Sequence, residues 1–480
     1  MPGDETNHGP ELLLTVRRSN GAPPLGRQIE AGLRTAIRQG RLSPGQRLPP
    51  TRTLAADLDV SRRLVLVAFE QLAAEGWLDA RVGSGTYVRR TLPLATPVAS
   101  LKPKAPERRS AHSRPRFDFF PGHPDLGAFP RAAWGRAARE ALRELPDAAF
   151  GYGDPRGHRE LRVTIASMLA RARGVVCRPG QVVICQGVVQ ALGILVRATA
   201  AATDGAPVRV AVEDPYLPEH RDVLLNAGAD VVPVPVDELG VHDEAVAATH
   251  AALALLTPAH QCPTGAVLSA GRRAALAGWA QREHTLIVED DYDAEYRYDR
   301  SPIAALQGLA PDHVAYVGSV SKTLAPGVRL AWLVVPEERL ASVIAAKRYA
   351  DAGSPILDQA TLAQMIASGD YDRHVRAARR RQRERRDALV KALATHLPAA
   401  RIGGVAAGLH AVAHLDEPVD AAALVAAART NDVGVYPLSL WRADPPPETS
   451  ALVLGYGALH PAAISEGVRR LADALHQLAK

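Results

Sequence analysis

The chain has 480 residues, of which 47% are hydrophobic and 22% charged, and this predicts about three folded units with buried cores. The net charge of +6 is small for this length, so charge alone neither requires nor excludes a nucleic-acid partner. The three cysteines include no Cys-x-x-Cys pair, and no run of about 18 apolar residues occurs. These features argue against a disulfide framework, a bound metal, secretion and a membrane span, and they favour a cytoplasmic protein.

The first block, residues 12–90, has the hydrophobic spacing of three helices and a hairpin. Leu25, Ile29, Leu33 and Ile37 recur every four residues, which predicts a helix with one buried side. The segment PPTRTLAADLDVSRRLVLVAFEQLAAEGWL then predicts a helix, a turn and a second helix, and WLDARV and TYVRR predict two strands around a Gly-Ser-Gly tip. Periodicity leaves two interpretations open, a helix-turn-helix with a β-wing and a plain three-helix bundle with a hairpin.

The sequence LGRQIEAGLRTAIRQGRLSPGQRLPPTRTLAADLDVSRRLVLVAFEQLAAEGWLDARVGSGTYV resembles a GntR-family winged helix over its full length. That resemblance implies binding to double-stranded operator DNA. Arg52, Ser61 and Arg62 would contact phosphates or base edges, and Gly85 would bring the wing close to the minor groove. Ser61 is also a residue type that caps helix N-termini well.

Two positions depart from the pattern usual in that family. Asp59 stands in the turn where Gly is usual, and Asp tolerates a left-handed backbone better than most residues. Arg63 and Leu64 stand where Asn-Thr is usual, so an apolar side chain replaces a hydroxyl able to bind phosphate. We expect the docking mode to persist, with Arg63 supplying the replacement charge.

Two further segments complete the expected organisation. Residues 91–115 are rich in Pro, Ala and basic side chains and have no periodicity, which predicts a semi-extended linker. In residues 116–480 short β-rich runs alternate with Ala- and Leu-rich helical stretches, which is typical of an α/β domain with a parallel sheet.

Five predicted strands of the second block each end at a polar cluster. QVVIC leads into QGVVQAL, VRVAV into EDPY, LALL into TPAHQCPTG, TLIV into EDDYDAEY, and HVAYV into GSVSKTLAPGVRL. In open parallel sheets the ligand lies outside the carboxyl ends of the strands. The five clusters therefore predict a single binding crevice.

Lysine is rare, since only six of the 57 basic residues are lysines. Lys347 and Lys391 fall in predicted helices, where exposed side chains are expected, whereas Lys322 follows a predicted strand. Cations near Lys322 would lower the pKa of its amine and favour an imine with an aldehyde. A phosphate would be held nearby by hydroxyl, guanidinium and helix-terminal amide groups. The candidates for these groups are Ser319, Ser321, Arg329, Gly187 and Val188.

Asp290 follows an apolar strand, and a carboxylate buried there requires a positive partner. The protonated nitrogen of a pyridine ring in a ligand would be a suitable partner. Tyr292 could hydrogen-bond a ring hydroxyl and Tyr216 could stack on the ring. Other interpretations stay open at each position. Asp290 could cap the next element together with Asp291, Tyr216 could be core, and Gly187 could be only a helix-start glycine. His260 and Gln261 could be a loop pair that satisfies backbone groups.

The motifs YGDPRGHRELR, EDPY, TPAHQCPTG, EDDYDAEYRY and SVSKTLAPGVRLAWLV resemble, in this order, the fold-type I aminotransferase domain of MocR-type GntR regulators. The resemblance covers residues 117–480 and implies a mixed, mostly parallel sheet, a small C-terminal α/β subdomain and a head-to-tail homodimer. It implies pyridoxal 5′-phosphate (PLP) as cofactor, held as an internal aldimine on Lys322. Asp290 would meet the pyridine nitrogen and Tyr292 the ring hydroxyl. Arg329 and Ser319 would hold the phosphate, and Tyr216 would stack on the ring.

Three positions depart from the aminotransferase pattern. No Gly separates Pro215 from Tyr216, so the stacking ring is expected to be displaced. Val188 and its neighbour stand where small or amide residues are common, and Cys262 stands where an amide or phenol often faces the ring hydroxyl. A thiol is a weak donor, so we expect Cys262 not to replace that hydrogen bond. Arg442 is the nearest candidate for an arginine that grips an effector carboxylate.

Residues 373–386, RHVRAARRRQRERR, form a predicted basic helix with eight arginines. A solvated structural helix is the favoured interpretation, and contact with DNA phosphates is the alternative.

The sequence as a whole predicts a one-component sensor. Its aminotransferase-like domain would bind PLP, with or without an amino compound, and change how two winged-helix heads sit on operator DNA. Two alternatives remain, a working aminotransferase with an accessory DNA-binding module and a relic that no longer binds the cofactor.

Overall fold

The computed structural model describes residues 14–19, 21–81, 84–90, 115–201, 206–293, 295–298, 303–404 and 406–478. They form two separately packed units. Unit 1 extends to residue 112, and unit 2 begins at residue 113. The expected linker, residues 91–115, lies outside the described residues except for its last residue, and the expected domain boundaries stay predictions. No helix in the described part of the chain is long and apolar enough to cross a membrane.

The described residues of unit 1 form three helices and an antiparallel hairpin. They are α1 (Leu25–Arg38), α2 (Thr51–Asp57), α3 (Arg62–Ala74), β1 (Leu78–Arg81) and β2 (Gly85–Val88). Ile29, Leu33 and Ile37 of the predicted stripe are fully buried in α1. The winged helix-turn-helix is therefore confirmed, although the wing tip lies partly outside the described residues.

The turn between α2 and α3 behaves as its residue types predict. Asp59 has a φ of 49°, in the left-handed region that Asp tolerates. The Ser61 side chain accepts a hydrogen bond from the Leu64 amide at 3.4 Å and caps α3. Leu64 is partly buried, and its side chain lies beside Gly26 of α1. The apolar residue at this position therefore packs within the unit.

Unit 2 contains eleven helices among its described residues. They are α4 (Arg131–Glu144), α5 (Arg159–Arg173), α6 (Val188–Ala200), α7 (Pro218–Asn226), α8 (Asp243–Ala248), α9 (Ala270–Arg282), α10 (Glu337–Asp351), α11 (Ile356–Ala367), α12 (Asp370–His396), α13 (Ala421–Thr430) and α14 (Pro461–Leu478).

The described strands of unit 2 form one large sheet and two small ones. They are β3 (Phe117–Asp118), β4 (Val182–Cys185), β5 (Val208–Asp214), β6 (Ala229–Asp237), β7 (Gly240–Val241), β8 (Leu253–Leu256), β9 (Leu286–Asp290), β10 (Val314–Ser319), β11 (Ala331–Val334), β12 (Arg401–Gly403), β13 (His410–Asp420), β14 (Val433–Gly434) and β15 (Glu448–Gly455).

The large sheet has the order β4-β11-β10-β9-β8-β5-β6-β7, and its strands are parallel except for β11 and β7. Alternate residues of β4 face two cores, one shared with α6 and one shared with α5 and α11. The expected layered α/β fold is confirmed. The five strands that precede the polar clusters run in one direction, so their carboxyl ends lie along one edge.

Two features of unit 2 correct the expectations. The strands β5 and β9 continue into the acidic clusters, so Glu213 and Asp290 lie inside strands. Glu213 is buried, and its carboxylate accepts hydrogen bonds from both the amide and the hydroxyl of Thr257. Lys347 was expected to be exposed on α10, and this expectation is wrong, because Lys347 is fully buried.

The smaller sheets form the C-terminal part of unit 2. The strands β12, β13 and β15 form an antiparallel sheet whose core includes residues of α12, α13 and α14. The short strand β3, near the start of unit 2, pairs in parallel with β14. The expected small α/β subdomain is therefore confirmed.

Candidate cofactor site and DNA-binding surface

Asp290 ends β9 with an unusual carboxylate. It is only 4% exposed, its Oδ2 atom accepts a hydrogen bond from the Tyr216 hydroxyl at 3.1 Å, and its buried Oδ1 atom has no hydrogen-bond partner among the described residues. Burial raises the pKa of Asp290 to about 7, although the bond from Tyr216 opposes the rise. The neighbouring Asp291 differs, because it pairs with Arg173 at 2.7 Å. The site offers a buried acceptor suited to a positively charged N–H.

Lys322 follows β10 and is partly buried, and its Nζ atom donates to the Gly122 carbonyl at 2.8 Å. Burial lowers the pKa of this amine, while Cys262, Asp293 and Asp290 act on it electrostatically in the opposite direction. The direction of the shift agrees with the expectation, but its cause is burial rather than neighbouring cations. A larger neutral fraction makes the amine a better nucleophile.

Several residues are predicted to bind a phosphate. The structure brings two segments that carry them, the start of α6 and the loop after β10, close together. Gly187 precedes α6 with a φ of 105°, and a Cβ atom there would lie 2.7 Å from the Arg329 Nη2 atom. Arg329 donates to the Gln186 carbonyl, and the Ser321 amide donates to the Ser319 hydroxyl at 3.3 Å. A guanidinium beside a helix N-terminus is a suitable environment for a phosphate.

Two tyrosines and a thiol lie near these groups. Tyr216 is fully buried, and its hydroxyl lies 3.0 Å from the Nδ1 atom of His220. Burial, and secondarily the charge of Lys322, lowers the pKa of His220 to about 4, so this ring is neutral at pH 7. Burial raises the pKa values of Cys262 and Tyr292, so both keep their protons. The stacking role of Tyr216 and the ring-hydroxyl role of Tyr292 stay predictions.

His260 and Gln261 have different surroundings. Gln261 donates to the Pro215 carbonyl at 2.9 Å and the Cys262 carbonyl at 2.8 Å, as expected of a residue that satisfies loop backbone. The Nδ1 atom of His260 instead lies 2.9 Å from Asp293 and 3.1 Å from the Tyr292 hydroxyl. Sequence reasoning missed Asp293.

The DNA-binding candidates of unit 1 lie on its surface. Arg52, Ser61, Arg62 and Arg63 are exposed at the starts of α2 and α3. Gly85 has a φ of 106°, and a Cβ atom there would lie 3.0 Å from the Nε atom of Arg47. Arg47 therefore adds a positive charge beside the wing, and sequence reasoning missed it because it lies in the loop before α2.

Comparison with known proteins decides the family. Residues 25–88 match the bacterial regulatory proteins of the gntR family, and residues 124–441 match the class I and II aminotransferases. MocR of Rhizobium meliloti, a probable rhizopine catabolism regulatory protein, is 34% identical over 466 residues, which cover 94% of each chain. The chain is a MocR-type GntR regulator.

Other relatives of this MocR-type chain agree with that assignment. The pyridoxine biosynthesis regulator PdxR of Corynebacterium glutamicum is 35% identical over 404 residues, covering 84% of this chain and 86% of PdxR. LysN, an α-aminoadipate aminotransferase of Thermus thermophilus with a solved structure, is 27% identical. The match covers 76% of this chain and 92% of LysN, with a TM-score of 0.67. The cofactor of such a domain is PLP.

The described residues of this MocR-type chain fit PLP. Asp290 offers an unsatisfied, buried oxygen for a protonated ring nitrogen, and Lys322 offers a primary amine after the adjacent strand. The close approach of Arg329 to the glycine before α6 leaves a guanidinium at a helix N-terminus. Arg442 is more open to solvent than these groups, because its side chain is 47% exposed. Its Nη1 atom lies 3.9 Å from the Asp214 carboxylate.

The basic helix of this regulator is part of α12 and has two kinds of arginine. Arg385 is buried and pairs with Asp125 at 2.6 Å, whereas Arg376, Arg380 and Arg383 are not buried. The helix thus has a structural role, as favoured, and also presents positive charge to solvent.

Proposed function

We propose that this chain is a PLP-dependent transcriptional regulator in which unit 1 binds operator DNA and unit 2 senses PLP or an amino compound through Lys322. The observation that carries the proposal is the presence of two complementary groups, the partly buried Lys322 amine and the buried, unsatisfied Asp290 oxygen, in the same chain as a winged helix. When bound, PLP supplies an aldehyde that condenses reversibly with amines and a ring that withdraws electrons.

The chain's own residues have distinct roles in this proposal. Asp290 holds a proton at the ring nitrogen, because a buried carboxylate is stabilised by a positive partner. The first turn of α6 and Arg329 orient the phosphate, assisted by Ser319 and Ser321. Tyr216 keeps Asp290 oriented through its hydroxyl bond.

The effector and the assembly are further parts of the proposal. A free amino compound competes with the Lys322 amine, and it shifts the protein between two arrangements only if it binds them with different affinity. Arg442 is the candidate for binding an effector carboxylate, because its segment lies at the end of β5 beside Tyr216. A head-to-tail homodimer would place two winged helices on paired half-sites. Such a regulator works in the cytoplasm, where its operator lies.

The proposal predicts that the protein binds the DNA upstream of its own gene and that PLP changes the protected region or the affinity. Footprinting of the full chain with and without PLP measures this. Binding that is identical with PLP present and absent would contradict the sensing part of the proposal. Absence of any specific footprint would contradict the regulatory part.

A second candidate function is aminotransferase catalysis, because the lowered pKa of the Lys322 amine favours imine exchange. Multiple turnover with an amino donor and a keto acceptor would support an enzyme. A single half-reaction without turnover, together with a footprint, would support the regulator.

The winged helix is also expected to account for the salt dependence of DNA binding. Replacing Arg62 or Arg63 by Ala should reduce the slope of log affinity against log salt by about 0.9 for each phosphate that the variant no longer neutralises. Fluorescence anisotropy of the upstream duplex at increasing salt measures the slope.

The matched comparison is the triple neutralisation of Arg379, Arg380 and Arg383 on α12. We expect it to leave the slope unchanged, since a solvated helix makes no phosphate contacts. A lower slope in the triple variant would show that α12 is a second DNA-binding surface.

A further inference from the structure

Unit 2 contains a buried lysine that the proposed function does not use. Lys347 lies in α10 with 0% of its side chain exposed. Its Nζ atom lies 2.6 Å from both carboxylate oxygens of Asp351, one helical turn later, and 3.1 Å from the hydroxyl of Ser354. Burial of an ammonium is unfavourable unless such partners satisfy it.

Asp351 connects this lysine to α6. Its Oδ2 atom also accepts a hydrogen bond at 2.8 Å from the side-chain amide of Gln190, which lies in the first turn of α6. The Oδ1 atom of Asp351 accepts from the Gly353 amide at 2.9 Å. The carboxylate therefore has a fixed orientation, and it fixes the orientation of Gln190.

Gln190 in turn holds the residues that precede α6. Its Oε1 atom accepts a hydrogen bond from the Gln186 amide at 2.8 Å. The Gln186 carbonyl accepts from Arg329. Both backbone groups of Gln186 are thus hydrogen-bonded. The amide donates to Gln190, which Asp351 orients, and the carbonyl accepts from Arg329, the guanidinium assigned to the phosphate.

We propose that Lys347 and Asp351 are positioning residues that hold the turn from Gln186 to Val188 in the shape that binds the PLP phosphate. This inference rests on the proposed function. A helix N-terminus binds a phosphate well only when its amides point to one place. Gly187, at a φ of 105°, allows the backbone other conformations, so the turn requires fixed bonds on its flank.

The geometry also argues against a purely space-filling role. A buried ion pair is weak evidence for stability, because well-packed apolar residues of similar volume often stabilise equally or better. Each acceptor of Asp351 is used, and one of its donors comes from the helix that begins the phosphate site. The pair therefore specifies an orientation rather than merely filling volume.

The experiment compares PLP with pyridoxal, which lacks the phosphate. In Lys347→Met and Gln190→Met we expect PLP affinity to fall about tenfold or more, while pyridoxal affinity changes less than about twofold. Absorption titration of the full chain with each compound measures both affinities. Gln190→Met removes two hydrogen bonds and no charge, so it tests the inference even if Lys347→Met fails to fold.

The control is Lys391→Met, which removes an exposed lysine of α12 and should leave both affinities unchanged. Equal losses for PLP and pyridoxal in Gln190→Met, or no loss for either, would overturn the inference. If the unmodified protein bound neither compound, the proposed function would fail instead, so the two failures are distinguishable.

Discussion

Replacement of Lys322 by Ala is expected to abolish the trapping of PLP by borohydride and to lower PLP affinity about a hundredfold, equivalent to roughly 2.7 kcal/mol. The reason is that the amine of Lys322 follows the strand beside Asp290, and partial burial lowers its pKa, so it is well suited to condense with an aldehyde. Mass spectrometry after reduction, together with absorption titration, measures the two effects.

The control for this result is Lys391→Ala, which changes an exposed lysine. It should retain a single reduced adduct at Lys322 and the affinity of the unmodified chain. An adduct that persists in Lys322→Ala at the original stoichiometry would show that another amine carries the cofactor. In that case the assignment of Lys322, and with it the sensing proposal, is wrong.

Asp290→Asn is expected to weaken PLP binding and to make the stability of the cofactor-free protein less dependent on pH. The pKa of Asp290 is raised from 3.8 to about 7 in the folded protein. Between these values the folded state holds a proton that the unfolded state has released, so stability falls as pH rises from about 4 to about 7. The contribution of Asp290 is a loss of at most about 1.4 kcal/mol in the free energy of unfolding for each pH unit. This contribution is absent in Asp290→Asn.

Urea unfolding of the cofactor-free chain at several pH values between 4 and 8 measures this difference. Glu213 and Glu289, whose pKa values are also raised to about 7 by burial, give a slope of the same sign in both proteins. The difference between the two proteins therefore isolates Asp290. Asp416→Asn, outside the buried core, should behave as the unmodified chain does. Identical slopes for Asp290→Asn and the unmodified chain would show that Asp290 is ionised in the folded, cofactor-free state.

PLP binding is expected to weaken at least tenfold in Asp290→Asn, because the amide cannot supply a negative charge to the ring nitrogen. The same substitution thus removes an unfavourable buried carboxylate from the cofactor-free protein, and it removes a favourable interaction with the ring nitrogen from the PLP-bound protein. Absorption titration at pH 8 checks the affinity. Unchanged affinity would contradict the role assigned to Asp290.

Much of the fold followed from patterns along the chain. The four-residue spacing from Leu25 to Ile37 predicted α1, and the apolar runs before polar clusters predicted five strands of the large sheet. The direction of parallel strands then brought Asp290 and Lys322 to one edge without any knowledge of side-chain contacts. These features could be predicted because each depends on neighbours in sequence.

The features that could not be predicted depend on contacts between distant segments. Lys347 and Asp351 have the spacing of an ordinary exposed pair on a helix, but α10 packs against α6, and Lys347 is fully buried there while Asp351 is partly exposed. The bond of His260 to Asp293 joins residues 33 positions apart. The sequence predicts that the acidic ends of β5 and β9 lie outside the strands, because carboxylates are rarely buried.

The carbonyl of Gly122 has a consequence for how events at the amine are passed on. It accepts the hydrogen bond from Lys322 at 2.8 Å and lies four residues after Asp118, where the first strand of unit 2 ends. A molecule that draws the amine away leaves this carbonyl to find another donor. The backbone segment from β3 to Gly122, near the start of unit 2, is therefore hydrogen-bonded to the amine that the proposed function assigns to ligand binding.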